Sequence, residues 1–327
     1  MKITNLQIDT KKNNYSKADT FLQDVDKGLS LRHKALSSKY FYDDEGSKIF
    51  QKITKHPDYY LTRSEIEILN KIKLKLPNLL KLDEVDIIEL GPGDGSKSKI
   101  IIEGFNNYGS IVNYYPIDIS KKALQLLGKN IKNNSKLKIN GIVGEYFEGL
   151  KFIKNTSKNK QLVLFLGSNI GNFERGQSVK FMKEIYKNIK DESYIFTGFD
   201  LKKDPKKLNK AYNDSSNLTK KFNLNLLSRI NSELKGNFNI NKFMHLGAYN
   251  PLIGAMESFL ISTKIQSVFI KSLNKKYDFE AYEPIHLEYS FKFSLLDIEN
   301  IADKTNFRIK NNFMNKNRGY LNSLWKK

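Results

Sequence analysis

Two segments could hold a nucleoside. One is the turn Gly91-Pro92-Gly93-Asp94-Gly95, which follows the apolar run at residues 85–90 that carries Glu89. Glycine has no side chain and tolerates positive φ, so backbone N–H groups in such a turn can close on a ligand. The spacing is G-x-G-x-G, whereas a dinucleotide fingerprint reads G-x-G-x-x-G. The other is Asp118, an acid at the end of a second strand, placed to accept both hydroxyls of a ribose. A third strand end carries Gly144-Glu145-Tyr146. His33, His56, His245 and His286 are scattered without metal-ligand spacing and read as structural or surface groups, so no metal is expected. Zero cysteines exclude thiol nucleophiles and Cys-type zinc sites.

These residues need a scaffold that brings strand ends together. The pattern predicts strands at 85–90, 113–119, 138–143, 162–166 and 194–199, with helices at 96–105, 120–130 and 177–190 between them. Alternating strands and helices imply an α/β, doubly wound parallel sheet. After Asp200 the character changes: 205–212 and 217–234 read as helices, 258–270 and 285–293 as antiparallel strands of a second, α+β domain. A helix at 295–305 and strands at 307–313 and 320–325 could return to the first sheet as an antiparallel closing pair. The expected domains are 64–201 plus 293–327, which would bind the cofactor, and 18–63 plus 202–292, which would bind the substrate. No internal repeat is visible, and the one low-complexity patch is a Lys/Asn loop at 154–160.

Composition narrows the class of partner. With 327 residues, 39% of them hydrophobic, the chain can fill one large core or two medium ones. The net charge of +20 invites a nucleic-acid reading, but the lysines are dispersed beside asparagines, with no arginine-rich or aromatic-interleaved block. A solvated lysine-rich surface is the expectation, and a nucleic-acid partner is not. No run approaches the roughly eighteen apolar residues of a membrane span, and residues 1–14 are polar, which predicts a cytoplasmic protein with no membrane partner.

The glycine spacing resembles the first motif of class I methyltransferases, whose Rossmann-like sheet binds S-adenosyl-L-methionine. That resemblance implies that the turn faces the methionine portion of the cofactor. It also implies that Glu145 and Tyr146 serve the adenine amine and ring face, and that Lys97 hydrogen-bonds the cofactor from the helix start. Gly91, Lys97, Asp118, Glu145 and Tyr146 are thus the candidate cofactor residues.

Further segments resemble the histidine Nα-methyltransferases of ergothioneine biosynthesis along nearly the whole chain: 39–46 (KYFYDDEG), 57–63 (PDYYLTR), the glycine turn through Lys97, 116–118 (PID), 165–172 (FLGSNIGN), 200–204 (DLKKD), 211–214 (AYND) and 288–290 (EYS). The resemblance implies an amino-acid substrate whose amino and carboxylate groups meet Asn172 and Tyr212. It sets the imidazole against Tyr59, Glu288 and Ser290, with Tyr289 inside the same run. Asn172, Tyr212 and Tyr42 are the candidate catalytic residues, and Phe50 with Tyr42 would wall the pocket. Independently of family, Glu288 and Ser290 lie two apart on an expected strand and share a face, where a carboxylate and a hydroxyl can meet two ring nitrogens. The chain departs from the family pattern at Leu287, at Ser258 and at Asp94-Gly95, which bears on the shape of the side-chain pocket. The rival substrate is another amine, such as a tryptophan-like amino acid.

Overall fold

The computed structural model describes residues 1–6 and 17–327. The chain divides into two compact units: Met1–Asp9, Arg63–Lys202 and Lys292–Lys327 form the first, Thr10–Thr62 and Lys203–Phe291 the second.

In the first unit six strands run parallel: β1 (Lys2–Asn5), β2 (Glu84–Leu90), β3 (Ile111–Asp118), β4 (Leu137–Val143), β5 (Lys160–Phe165) and β6 (Tyr194–Asp200). β2 and β5 are buried at every residue but the first, which is why they read as unbroken apolar runs. Strands β12 (Arg308–Met314) and β13 (Tyr320–Lys326) complete the sheet in the order β1-β4-β3-β2-β5-β6-β13-β12, with β13 antiparallel to β6. The antiparallel closing pair therefore does return to the first sheet. β1 is an addition that the sequence pattern does not signal, because Ile3 is the one apolar residue among its four.

Helices α4 (Lys75–Leu80), α5 (Ser96–Tyr108), α6 (Lys121–Asn130), α7 (Tyr146–Thr156), α8 (Arg175–Asn188) and α11 (Leu295–Lys304) belong to this unit. α3 (Tyr60–Ile72) contains the point at which the chain passes from the second unit to the first. Local chemistry sets several starts: the Ser120 hydroxyl accepts from the Ala123 N–H, and Ser294 with Asp297 forms a reciprocal capping box on α11. The expected Lys/Asn loop is shorter than its composition suggests, since α7 runs to Thr156 and β5 starts at Lys160.

The second unit holds α1 (Lys17–Leu29), α2 (Asp44–Lys55), α9 (Pro205–Tyr212), α10 (Leu218–Leu234) and strands β7 (Phe243–Asn250), β8 (Ala255–Ser262), β9 (Gln266–Ile270), β10 (Lys275–Phe279) and β11 (Pro284–Phe291). Its core packs Phe21, Phe41, Phe222, Leu226, Leu260 and Phe279 among others. The strand expected at 258–270 is two strands in two sheets. β8 lies between β7 and β11, whereas β9 pairs with β10. The break falls where the Ser262 hydroxyl donates to the Lys264 carbonyl at 2.7 Å and turns the chain. β7 escapes the pattern because it contains Gly247, where a Cβ would stand 3.0 Å from the Cβ of Tyr212; the glycine lets α9 approach the strand. Among the described residues no helix is long and apolar enough to cross a membrane.

Candidate active site

The chain steps outward from β2 to β3 and β4, then crosses to β5 on the other side of β2, so the sheet reverses its winding between β2 and β5. In open α/β sheets the carboxyl ends of strands at such a reversal form the ligand crevice. Here those ends carry the turn Gly91–Gly95 and the turn that follows β5.

Three glycines of the first turn have positive φ: 68° at Gly91, 59° at Gly93 and 74° at Gly95. A Cβ on Gly91 would lie 2.7 Å from the Tyr146 hydroxyl, while one on Gly93 would meet nothing within 4 Å, so the turn presents bare backbone. Replacing Gly91 by alanine is expected to lower the unfolding free energy by about 1–2 kcal/mol, the cost of a left-handed non-glycine residue, before Tyr146 is displaced. Urea titration checks this, and unchanged stability would refute it.

Asp118 is half-buried at the end of β3; it accepts the Ser120 N–H at 2.8 Å, and burial raises its pKa. Tyr146 opens α7, with its phenol pushed up to about 12 by burial and then by the charges of Asp118, Glu145 and Glu89. Glu145 is the exposed N-cap of the same helix. These elements fit a nucleoside with a strand-end acid for its ribose and a side-chain-free turn beside it.

Lys97, in the first turn of α5, donates to Glu65 Oε2 at 2.8 Å. Asn172 is exposed at the end of a short 3-10 turn, Asn169–Asn172, that follows β5. That turn is held at its start by Ser168, whose hydroxyl accepts the Asp200 N–H at 2.9 Å.

Glu89 is buried, and its carboxylate accepts a short hydrogen bond from the Tyr114 hydroxyl. Burial pushes its pKa up to about 7, against the hydrogen bonds of Tyr114 and Ser98 and the charge of Lys97, which lower it. The folded value exceeds the ordinary 4.5, so the folded state holds the proton longer. Stability from this group is fully present below pH 4.5 and is lost as pH rises through about 7. Glu89→Gln should flatten that decline in a melting series from pH 4 to 8; an unchanged slope would exclude Glu89 as its source.

In the second unit an aromatic wall joins the residues singled out by sequence. Ring centroids lie 5.4 Å apart for Tyr42 and Phe50, 6.3 Å for Phe50 and Tyr59, and 6.5 Å for Tyr59 and Tyr212. The buried Tyr212 hydroxyl donates to Ser290 Oγ at 2.7 Å. Tyr212 is pinned from behind: His245 Nε2 donates to its carbonyl at 2.9 Å, and Asn223 Nδ2 donates to His245 Nδ1 at 3.0 Å. Burial lowers the pKa of His245, which keeps the ring neutral in this tautomer. Tyr59 is placed by its neighbour Asp58, whose carboxylate accepts the Ser215 N–H and hydroxyl at 3.0 and 2.9 Å and pairs with Lys210 at 3.1 Å.

Glu288 and Ser290 share one face of β11, and Glu288 stands in register with Ser258 on β8, so that departure from the family pattern sits beside the carboxylate. Tyr289 is not brought to this group. Its ring faces the other side of the strand, 4.2 Å from the His286 ring and 5.7 Å from Phe291, because neighbouring strand residues point to opposite faces. Among the described residues no group of three or more His, Cys, Asp or Glu is placed to hold a metal ion.

Sequence reasoning missed Glu65. Leu61, Ile68, Leu69 and Ile72 form the buried stripe of α3, and Glu65 occupies a stripe position where an apolar residue is the ordinary choice. An acid on an apolar helical face was the available signal.

A mostly parallel sheet with a glycine turn after its central strand and an acid at the next strand end defines a Rossmann-like, nucleoside-binding class of protein. The chain belongs to the family of histidine-specific, S-adenosylmethionine-dependent methyltransferases, which it matches over residues 21–327. S-adenosylmethionine is accordingly its methyl donor. The chain is similar to the histidine N-alpha-methyltransferases of Mycobacterium tuberculosis, 32% identical over 272 residues (83% of this chain, 84% of the relative), and Mycolicibacterium smegmatis, 30% over 279 (85% and 86%). It is also similar to ergothioneine biosynthesis protein 1 of Schizosaccharomyces pombe, 27% identical over 292 residues, 86% of this chain and 37% of that protein.

Proposed function

We propose that the protein methylates the α-amine of L-histidine, carrying it to the trimethylated betaine. The observation that carries this reading is the polar pair Glu288 and Ser290 on one strand face, with Ser290 bonded to Tyr212 and Tyr212 packed on Tyr59. A carboxylate and a hydroxyl suit the two nitrogens of an imidazole, and an apolar ring needs neither. In this reading Tyr59, Glu288 and Ser290 take the imidazole, while Asn172 and Tyr212 orient the amino and carboxylate groups. Gly91, Lys97, Asp118, Glu145 and Tyr146 hold the methyl donor, and Tyr42 closes the aromatic wall.

The bound donor supplies a methyl group made electrophilic by its sulfonium. The chain's residues contribute alignment and exclusion of water, which can account for most of such an acceleration. The substrate ammonium first releases a proton, to a tyrosine phenolate or to water; the neutral nitrogen then forms its bond to the methyl carbon as the carbon–sulfur bond breaks. Each round releases one proton. After the third the nitrogen has no proton left to lose, and the reaction stops.

Isothermal titration with histidine, its mono- and dimethylated forms and tryptophan, with S-adenosylhomocysteine present, tests the assignment. Selective binding of histidine or its methylated forms supports it; binding of S-adenosylhomocysteine with none of these ligands keeps the methyltransferase and discards the substrate. We further read the enzyme as cytoplasmic, independent of metal and without a nucleic-acid partner. Activity lost on chelation, or salt-sensitive retention of RNA on filters, would overturn the corresponding part.

A further inference from the structure

We infer that Glu65 is a positioning residue of the methyl-donor site, acting through Lys97 and through the turn after β5. The inference rests on the reading that Lys97 meets the methyl donor. The Glu65 side chain is fully buried, and both carboxylate oxygens are engaged. Oε2 accepts from Lys97 Nζ at 2.8 Å and from the Gly167 N–H at 2.9 Å; Oε1 accepts from Asn322 Nδ2 at 2.9 Å. One carboxylate thus joins the helix after the glycine turn, the turn that leads to Asn172, and strand β13.

The sheet makes room for it. A Cβ on Gly198, in the interior of β6, would collide with Glu65 Oε1 and stand 2.6 Å from the Tyr320 hydroxyl. Glycine inside a strand marks close approach of another group, and here that group is the carboxylate. At Gly167, whose φ is 82°, a Cβ would lie 3.1 Å from Lys97 Nζ, so this turn too is kept bare beside the ammonium.

The Lys97 side chain is 23% exposed, against 0% for Glu65. An ammonium has three donors, and the carboxylate directs one of them inward. This fixes the long side chain in one rotamer, with its remaining N–H groups available to a ligand carboxylate. Glu65 never touches the ligand; it sets the aim of the group that does. The same oxygen fixes the Gly167 N–H, and hence the start of the segment that carries Asn172.

The test is a mutant cycle read by isothermal titration of S-adenosylhomocysteine. Glu65→Gln and Lys97→Met are each expected to weaken binding about 10- to 100-fold, the range for losing a charge-assisted hydrogen bond. The double variant should lose less than the product of the two single losses, because both disrupt the shared Glu65–Lys97 contact. In turnover the loss should appear in KM for S-adenosylmethionine more than in kcat. Glu65→Asp keeps the charge but draws the carboxylate back by one methylene; it should lose affinity several-fold, and it serves as the probe if Glu65→Gln does not fold. If Lys97→Met weakens binding while Glu65→Gln and Glu65→Asp bind at wild-type strength, the inference is overturned and the reading of Lys97 stands. If Lys97→Met itself binds normally, that reading fails and the inference falls with it. Additive losses would place Glu65 outside the Lys97 interaction and also overturn it.

Discussion

Glu288→Ala is expected to lower kcat/KM for histidine about 100-fold, the scale for removing a hydrogen bond to a charged group, and to leave turnover of an apolar-ringed amino acid far less affected. The carboxylate is half-buried on β11, in register with the buried Ser258, on the face that carries Ser290. On the proposed assignment, removing it leaves an imidazole N–H without its acceptor in a half-buried site, where an unmet donor is costly. The comparison is made with histidine and tryptophan assayed in parallel at subsaturating concentration. An equal fall with both substrates would refute the imidazole assignment, because a merely structural loss strikes every substrate alike. Glu288→Gln should fall between the wild type and alanine, as it keeps the acceptor oxygen and loses the charge.

The second large effect concerns stability. Lys292 and Asp200 form an ion pair 3.0 Å long, with both side chains at 0% exposure. Taking one partner away removes the opposite charge from a buried ion pair, which costs about 3–5 kcal/mol. Lys292→Met should therefore lower the unfolding free energy by that amount in urea titration, and adding Asp200→Asn should recover much of it. Asp200 ends β6, and its N–H is the donor to Ser168 that holds the start of the Asn169–Asn172 turn. Activity should accordingly fall with Lys292→Met even at temperatures where the variant remains folded. Stability equal to that of the wild type would show that Asp200 takes up a proton or a water in place of its partner.

The strand framework of the first unit was legible because it rests on local order. β2 and β5 are buried on both faces, so burial forces apolar side chains at consecutive positions; such runs, with the alternation of strand and helix, let five of the sheet's eight strands be read as parallel members. The glycine turn was legible for a related reason: positive φ and a side-chain-free surface are properties of glycine itself. Tertiary contact decided the rest. β1 joins the sheet through its pairing with β4, a partnership between residues more than a hundred positions apart that no local pattern records. The run 258–270 reads as continuous, yet the turn at Ser262 sends its halves to different sheets. Among the singled-out residues, Tyr42, Tyr59, Tyr212 and Ser290 come from separate segments and are joined by packing and a hydrogen bond, whereas Tyr289 is turned away by the alternation of the strand that carries its neighbours.

What the sequence by itself determined is the class of sheet, the turn and the side-chain types available for chemistry, since backbone preference and burial act within a few residues. Only the tertiary structure decided that Glu65 meets Lys97, Gly167 and Asn322, and that Lys292 meets Asp200. A charge enters a core where distant groups converge to satisfy it, and that convergence is a property of the packed fold.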